Sequence, residues 1–567
     1  MILLAMVLWG FLGLQTADQA LPATGPAADR VGPDRDLGAH NVAEEFHLPP
    51  LQDAPGDALR GELNDLQVIV RANRMQLSRS SATEAWQQGE TTWQAARRTA
   101  EAEPQGAPVL FQGRSATELN AILRRPEVRF VRVTSPTLVV DTPLRIARAD
   151  LTLDLGSTRL LPGAALPYAL RIEGAQRIAV HGGVMQKGRT GVLVAGSRGV
   201  LLRGMTLDGL SGGGIVVSAA QDVVLWGNTL THLHDAPVLL AGDTERATVA
   251  ENVITHNVGA SNWQAGVVLT DRNADLAADP ANLFGADGFW VRPQPMAERL
   301  HIPQNNVVAY NRIASNSSSG VYSDGSVRNV IVGNRIEENS KEGLCLDDGS
   351  GADVVAWNTF RGNGQRWGKS DVDLQRDYVL ASGRLPDGTS VAKLPAVSID
   401  NAAYNLIVFN EMDRNFGGGV KMVRTGVYNL VGMNLLLDNN EGRSDKYHFF
   451  GVELGAATAD APSPELDFGA SRGNTIFGNT LRGNHFAGIF FADGSDTNDV
   501  FDNTIFGASQ WAMESTRRQR NTTLNNLTNL HSRNIDAGLD PRLPDLSGGV
   551  YDAPAPPAPA SPAHTTP

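Results

Sequence analysis

One cysteine, Cys345, stands in 567 residues, which excludes an intrachain disulfide and any cysteine-based metal site. Stability then has to come from burial and hydrogen bonding. Net positive charge is also missing: 48 Lys and Arg against 61 Asp and Glu leave −13, the wrong sign for a nucleic-acid or anionic-membrane surface. No apolar run beyond the first residues has the length of a transmembrane helix. The opening MILLAMVLWGFLGL is itself short and is followed by small residues. It reads as a cleaved export signal over 1–20, although its start carries no Lys or Arg. The expected location is the periplasm or the exterior, with no membrane span after cleavage.

The ends of the chain carry little that builds a core. Residues 21–58 are rich in Ala, Pro, Gly and Asp and read as a linker. Residues 59–103 turn to helix formers and suit two helices split near SRSSAT. Residues 536–567 end in APAPPAPASPAHTTP, a tail expected to be disordered.

Between these ends the chain repeats itself. A short apolar strand recurs as GVLVAGS from Gly191, GIVVSAA from Gly214, PVLLAGD from Pro237, GVYSDGS from Gly320, GLCLDDGS from Gly343, AVSIDNA from Ala396 and GVKMVRT from Gly419. Starts at 191, 214 and 237, at 320 and 343, and at 396 and 419 are each 23 residues apart. Wider gaps hold insertions near 273–304 and 364–395. A second strand lies between, as in NNVVAYNRIASN and RNVIVGNRIEEN, with an Asn always at the same place. These are Asn311, Asn334, Asn358, Asn410, Asn434 and Asn479, followed five residues later by Asn316, Asn339, Asn363, Asn415, Asn439 and Asn484. Stacked at turns, such asparagines satisfy bent backbone by hydrogen bonds along a ladder.

Short strands split by Asn and Gly turns at a fixed period specify an all-β solenoid, a right-handed parallel β-helix with a short N-terminal helical region. Over residues 107–535 the pattern resembles the pectin-lyase-like superfamily. SATELNAILRR stands where such solenoids carry an N-terminal cap that protects the open edge.

Side chains alternate between the faces of a strand. Positions one and three after the leading residue are apolar, as in Leu344 and Leu346, Val397 and Ile399, and Val420 and Met422. Val321 and Ser323 are the partial exception. Positions two and four are therefore expected to face solvent. They carry Tyr322 and Asp324, Cys345 and Asp347, Ser398 and Asp400, then Lys421 and Glu453, with Asp348 and Arg424 at the following turns. Two like charges about 5 Å apart repel by roughly 3 kcal/mol at an effective dielectric of about 20. A solenoid that needed only solubility would not stack acids in this way. Either one acid holds a proton or all share a cation. The insertions beside this strip contain Trp290 and Trp367, suited to stacking on sugar rings. The plain structural reading is a surface strip salt-bridged by Lys421, Arg424 and Arg376.

YSDG at 322–325, LDDG at 346–349 and KMVR at 421–424 resemble the layout of polygalacturonase-type glycoside hydrolases. Ser323 departs from that pattern, SIDN at 398–401 replaces its histidine coil, and Lys and Arg are exchanged in order. The resemblance implies cleavage of a glycosidic bond in a polysaccharide or oligosaccharide. Asp347 or Asp348 would be the general acid, Asp324 with its partner would activate water, and Asp400 belongs to the catalytic set. Lys421 completes the catalytic set, while Arg424, Glu453, Tyr322 and Trp367 bind substrate. No cofactor or metal is required by this reading. Its rival is a calcium-dependent polysaccharide lyase, with Asp324, Asp347, Asp348 and Asp353 as oxygen ligands and Lys421 as base. An epimerase or intramolecular glycosyl transferase, or a non-catalytic polysaccharide-binding solenoid, also suits the scaffold. The histidines of HLHDAP at 232–237 read as turn residues, and Cys345 as an inert thiol.

Overall fold

The computed structural model describes residues 84–258, 264–271, 302–364, 394–423, 426–439, 450–455, 471–484, 487–491, 495, 497–507, 511–515, 522–524, 526–528 and 533–534. The export signal, the linker, the first of the two expected helices and the Pro/Ala tail lie outside these residues.

Each coil is built from three short strands. Val307–Ala309, Arg312–Ala314 and Val321–Asp324 make one coil. Val330–Val332, Arg335–Glu337 and Leu344–Asp347 make the next. Equivalent strands pair in parallel, Val307 with Val330, Ile313 with Ile336 and Val321 with Leu344. Stacking gives three faces, and the third runs in unbroken order from Leu144–Ile146 to Arg533–Asn534. The connections between parallel strands are those that wind right-handed, so the molecule is a right-handed parallel β-helix.

The period of two explains the interior. Ile313, Val321, Ile336, Leu344 and Leu346 are fully buried, and equivalent positions form one core cluster from Phe111 to Ile505. Burying each such side chain stabilises by about 1.5–3 kcal/mol. The corners are sharp because residues such as Tyr310, Trp357 and Phe409 take left-handed φ values of 55°, 53° and 57°. The Asn that follows each of them turns inward. Asn334 Nδ2 donates to Val308 O at 2.8 Å and to Asn358 Oδ1 at 2.9 Å, while Asn334 Oδ1 accepts from Asn311 Nδ2 at 3.0 Å. A parallel ladder joins Asn316, Asn339, Asn363, Asn415, Asn439 and Asn484.

The helix Ala116–Leu123 buries Leu119 and Leu123 against the first coils, and the Ser115 hydroxyl caps it by accepting from Thr117 N at 3.1 Å. A second helix over 84–101 lies across the outside of the first face. Trp93 stacks on Trp226 at 5.1 Å and meets Tyr310 at 5.1 Å, and Trp86 meets Trp357 at 5.4 Å. Ala96 and Ala100 pack with Leu201 and Val224. Gly89 sits so near Val330 that any side chain there would collide with it. Gly89→Val should lift the helix and cost about 1–3 kcal/mol. Tryptophan emission should shift red and the melting temperature fall, and an unchanged spectrum and melt would contradict this packing.

Candidate active strip on the third face

Strand pairing brings the sequence-selected residues into one column. Asp324 lies opposite Asp347. Cys345 lies opposite Ser398 and Leu346 opposite Ile399, which carries Asp400 onto the adjoining coil. Ser398 then faces Lys421, and Lys421 faces Glu453. Arg424 and Trp367, like Trp290 and Arg376, lie outside the described residues.

The expectation that this face meets solvent is corrected by the structure. Asp324 is 1% exposed, Tyr322 and Cys345 4% and Ser398 7%, whereas Asp347, Asp348, Asp400, Lys421 and Glu453 are half-buried. Leu193, Val216, Leu239 and Val268 occupy position two on the earlier coils and cluster with Tyr322 and Cys345. The acids therefore sit at the end of an apolar column. Alternation says which way a side chain points, but whether water waits there is a matter of tertiary packing.

Asp347 holds the centre of the strip. Its Oδ2 accepts from the Tyr322 hydroxyl at 2.9 Å and its Oδ1 from the Asp348 amide at 2.9 Å. Asn401 Nδ2 reaches Asp348 Oδ1 at 3.4 Å across left-handed turn residues. Burial, and then the charges of Asp347 and Asp324, push the Tyr322 phenol well above its ordinary value, so it stays a donor. Burial and then Glu342 do the same to the Cys345 thiol. That thiol supplies no thiolate, and no nucleophilic role falls to it.

Lys421 was expected to serve the acids or the substrate. Its ammonium instead pairs with Glu453 at 3.4 Å, on the side away from Asp400. Two residues selected separately thus form one ion pair at the end of the strip.

Asp353, expected as an oxygen ligand beside the acids, lies elsewhere. It is fully buried in a third ladder, between Asn329 and Asn405. This ladder also contains Asn306, Asn429, Asn474 and Asn498. It was overlooked, although its members precede the first asparagine series by five residues throughout. Glu342 was overlooked too. It is 6% exposed and accepts from Ser319 Oγ at 2.9 Å. No alternation rule reaches it, because it precedes the leading Gly343. Away from the strip, His232 pairs with Asp208 at 2.9 Å and stacks on His256 in a turn column.

The fold defines a class, the right-handed parallel β-helix, which is the architecture of the pectin-lyase-like superfamily. A family described as "Periplasmic copper-binding protein (NosD)" matches residues 299–378, the coils that carry Asp324 and Asp347. No curated protein matches the chain. Among solved structures, the surface adhesin PfbA of Streptococcus pneumoniae is similar at 10% identity and TM-score 0.42, over 72% of this chain and 93% of that one. The A-module of the mannuronan C-5 epimerase AlgE6 of Azotobacter vinelandii is similar at 14% and 0.41, over 70% and 90%. The DFA-IIIase of Arthrobacter chlorophenolicus is similar at 15% and 0.41, over 67% and 93%. At these values the likeness decides nothing about chemistry, which rests on the strip.

Copper prefers thiolate, thioether or imidazole donors. Among the described residues of 299–378 the soft donor is the protonated Cys345, and the other candidate donors are hard carboxylates such as Asp324 and Asp347. These residues do not fit copper. Among all described residues, no group of three or more His, Cys, Asp or Glu side chains is arranged to hold a metal ion. Nor is any described helix long and apolar enough to cross a membrane.

Proposed function

We propose that this chain is a carbohydrate-active enzyme that cleaves a glycosidic bond by carboxylate acid/base chemistry along the third face. The observation that supports this most is the register of Asp324 with Asp347, with the Tyr322 hydroxyl on Asp347 Oδ2. In-register residues of parallel strands lie about 4.8 Å apart, so the two carboxyls cannot both be charged without penalty and share a proton. Both oxygens of Asp347 accept hydrogen bonds, the arrangement that suits a carboxylate. Asp347 is then the base or nucleophile, and the acid is Asp324 or Asp400. This reverses the role that the polygalacturonase layout implies for Asp347. The pair on adjoining coils has the spacing of a retaining mechanism, about 5–5.5 Å, whereas Asp324 and Asp400 lie two strand spacings apart, about 9.6 Å and near the inverting range. The proposed location is extracytoplasmic, periplasmic or secreted, as the opening residues suggest.

A second reading rests on Tyr322. A phenol donating to a carboxylate also suits removal and return of a proton beside a uronate, the chemistry of a lyase or epimerase. The described acids do not converge as a calcium cage, and Lys421 is engaged by Glu453, so hydrolysis is preferred. A polysaccharide panel, with and without EDTA, separates the two. New reducing ends without ultraviolet absorbance are expected. EDTA-sensitive absorbance from an unsaturated product would transfer the assignment to a lyase. Neither signal on any glycan would reject hydrolase and lyase alike and leave an epimerase, a transferase or a binding role.

A further inference from the structure

Two departures from the repeat meet inside the solenoid, directly behind the strip. Ser323 occupies an inward position that is Leu269, Leu346, Ile399 and Met422 on neighbouring coils. Its hydroxyl contacts Ser326 Oγ at 2.6 Å and Ser350 Oγ at 2.9 Å. Asp353 replaces asparagine in the third ladder, and the Ser323 hydroxyl lies against its carboxyl. Ser350 joins the two coils: its hydroxyl donates to Ser323 O at 2.9 Å and its amide to Asp347 O at 3.0 Å. This network ties the turn after Asp347 to the strand that ends in Asp324.

The Asp353 carboxyl is oriented like an asparagine amide. Its Oδ1 accepts both the amide and Nδ2 of Asn329, at 2.7 and 3.0 Å, and its own amide donates to Asn405 Oδ1 at 3.0 Å. Oδ2 is buried and accepts no hydrogen bond. It stands where every neighbouring rung has an Nδ2 that donates to the next Oδ1, as Asn405 does to Asn429 at 3.0 Å. An ionised Oδ2 would set two acceptors against each other with no water between them, whereas a protonated one completes the rung.

We propose that Asp353 is a neutral carboxylic acid in the folded protein, donating from Oδ2 to Asn405 Oδ1. On the functional reading above, it is a positioning residue that holds the Asp347 coil in register with the Asp324 coil. The groups bonded to Asp353, Asn329, Asn405 and Ser323, do not titrate. Burial, partly offset by the hydrogen bonds of Asn329 and then of the Ser323 hydroxyl, carries the Asp353 carboxyl from 3.8 up to about 8. The folded state therefore binds a proton that the unfolded chain has lost between those values. The contribution of Asp353 to stability is fullest below pH 4, falls by up to about tenfold in the folding constant per pH unit, and levels off above pH 8.

The test compares the full chain with Asp353→Asn, which restores the asparagine rung and cannot titrate. The variant and the wild type should unfold alike near pH 4, and the variant should lead by about 10³-fold in the folding constant at pH 7. An infrared carbonyl band of a protonated carboxyl should be present in the wild type at neutral pH and missing from the variant. Amide exchange over 321–350 should match between the two near pH 4 and run faster in the wild type at pH 9. Any glycan turnover should fall more steeply above pH 8 in the wild type than in the variant. A stability gap that does not widen with pH, or equal exchange at pH 9, overturns the inference. Absence of turnover on every glycan counts against the enzymatic reading, and exchange and stability still decide the rung.

Discussion

Asp347→Asn should lower turnover of the glycan found by the panel by about 10²–10⁴-fold, the usual worth of a positioned acid or base, without lowering the melting temperature. The two effects separate because of the local bonding. An asparagine keeps an oxygen that accepts from the Tyr322 hydroxyl or from the Asp348 amide, so the turn at 347–350 is retained. It also removes one of two carboxyls held in register with no intervening strand, relieving a repulsion of roughly 3 kcal/mol at most. A structural aspartate would behave in the opposite way, with stability falling and activity following it down. Measuring kcat beside a thermal melt separates these outcomes. Near-normal turnover in a folded variant would remove Asp347 from the chemistry.

Asn334→Leu should be far more damaging, and to folding rather than to turnover. Asn334 Oδ1 accepts from the amide and Nδ2 of Asn311, and Nδ2 donates to Val308 O and Asn358 Oδ1, all within 2.8–3.0 Å. Leucine nearly matches the volume but strands those four groups in the core, where each unmet bond costs about 1–3 kcal/mol. A sum of about 4–12 kcal/mol rivals the whole stability of an ordinary domain. Because each coil contacts only its neighbours, the damage spreads along the stack. We expect insoluble protein or a collapsed melting temperature, and a melt like that of the wild type would refute the ladder's importance. Asn334→Asp offers a sharper contrast. It should imitate the Asp353 rung, folding near pH 5 and failing near pH 9, as circular dichroism would show.

Much of this architecture is legible in residue order. The 23-residue interval from Gly320 to Gly343 and the recurring Asn334 and Asn339 specify stacked coils, because parallel strands at one spacing require equal chain length per turn. The alternation of Val397 and Ile399 with Ser398 and Asp400 separates the inward face from the outward one. The third ladder was legible in the same way, as the run Asn306, Asn329, Asn405 and Asn429. Its one acidic rung was misread, since an aspartate near other aspartates suggests a shared ligand until its corner is known to turn inward.

What sequence alone determined, then, is the solenoid, its period, and the placing of Asp324, Asp347 and Asp400 on one outward column. These follow from the pleat and from the geometry of a repeat, which are local rules applied many times. The tertiary structure decided that Asp324 is buried and Asp347 and Asp400 half-buried, that Lys421 belongs to Glu453, that Tyr322 donates to Asp347, and that Asp353 stands behind the strip. Those facts depend on which coil lies beside which and on what covers a face. Such contacts join residues 24, 25 and 32 apart in the chain, and no spacing rule within one strand can supply them.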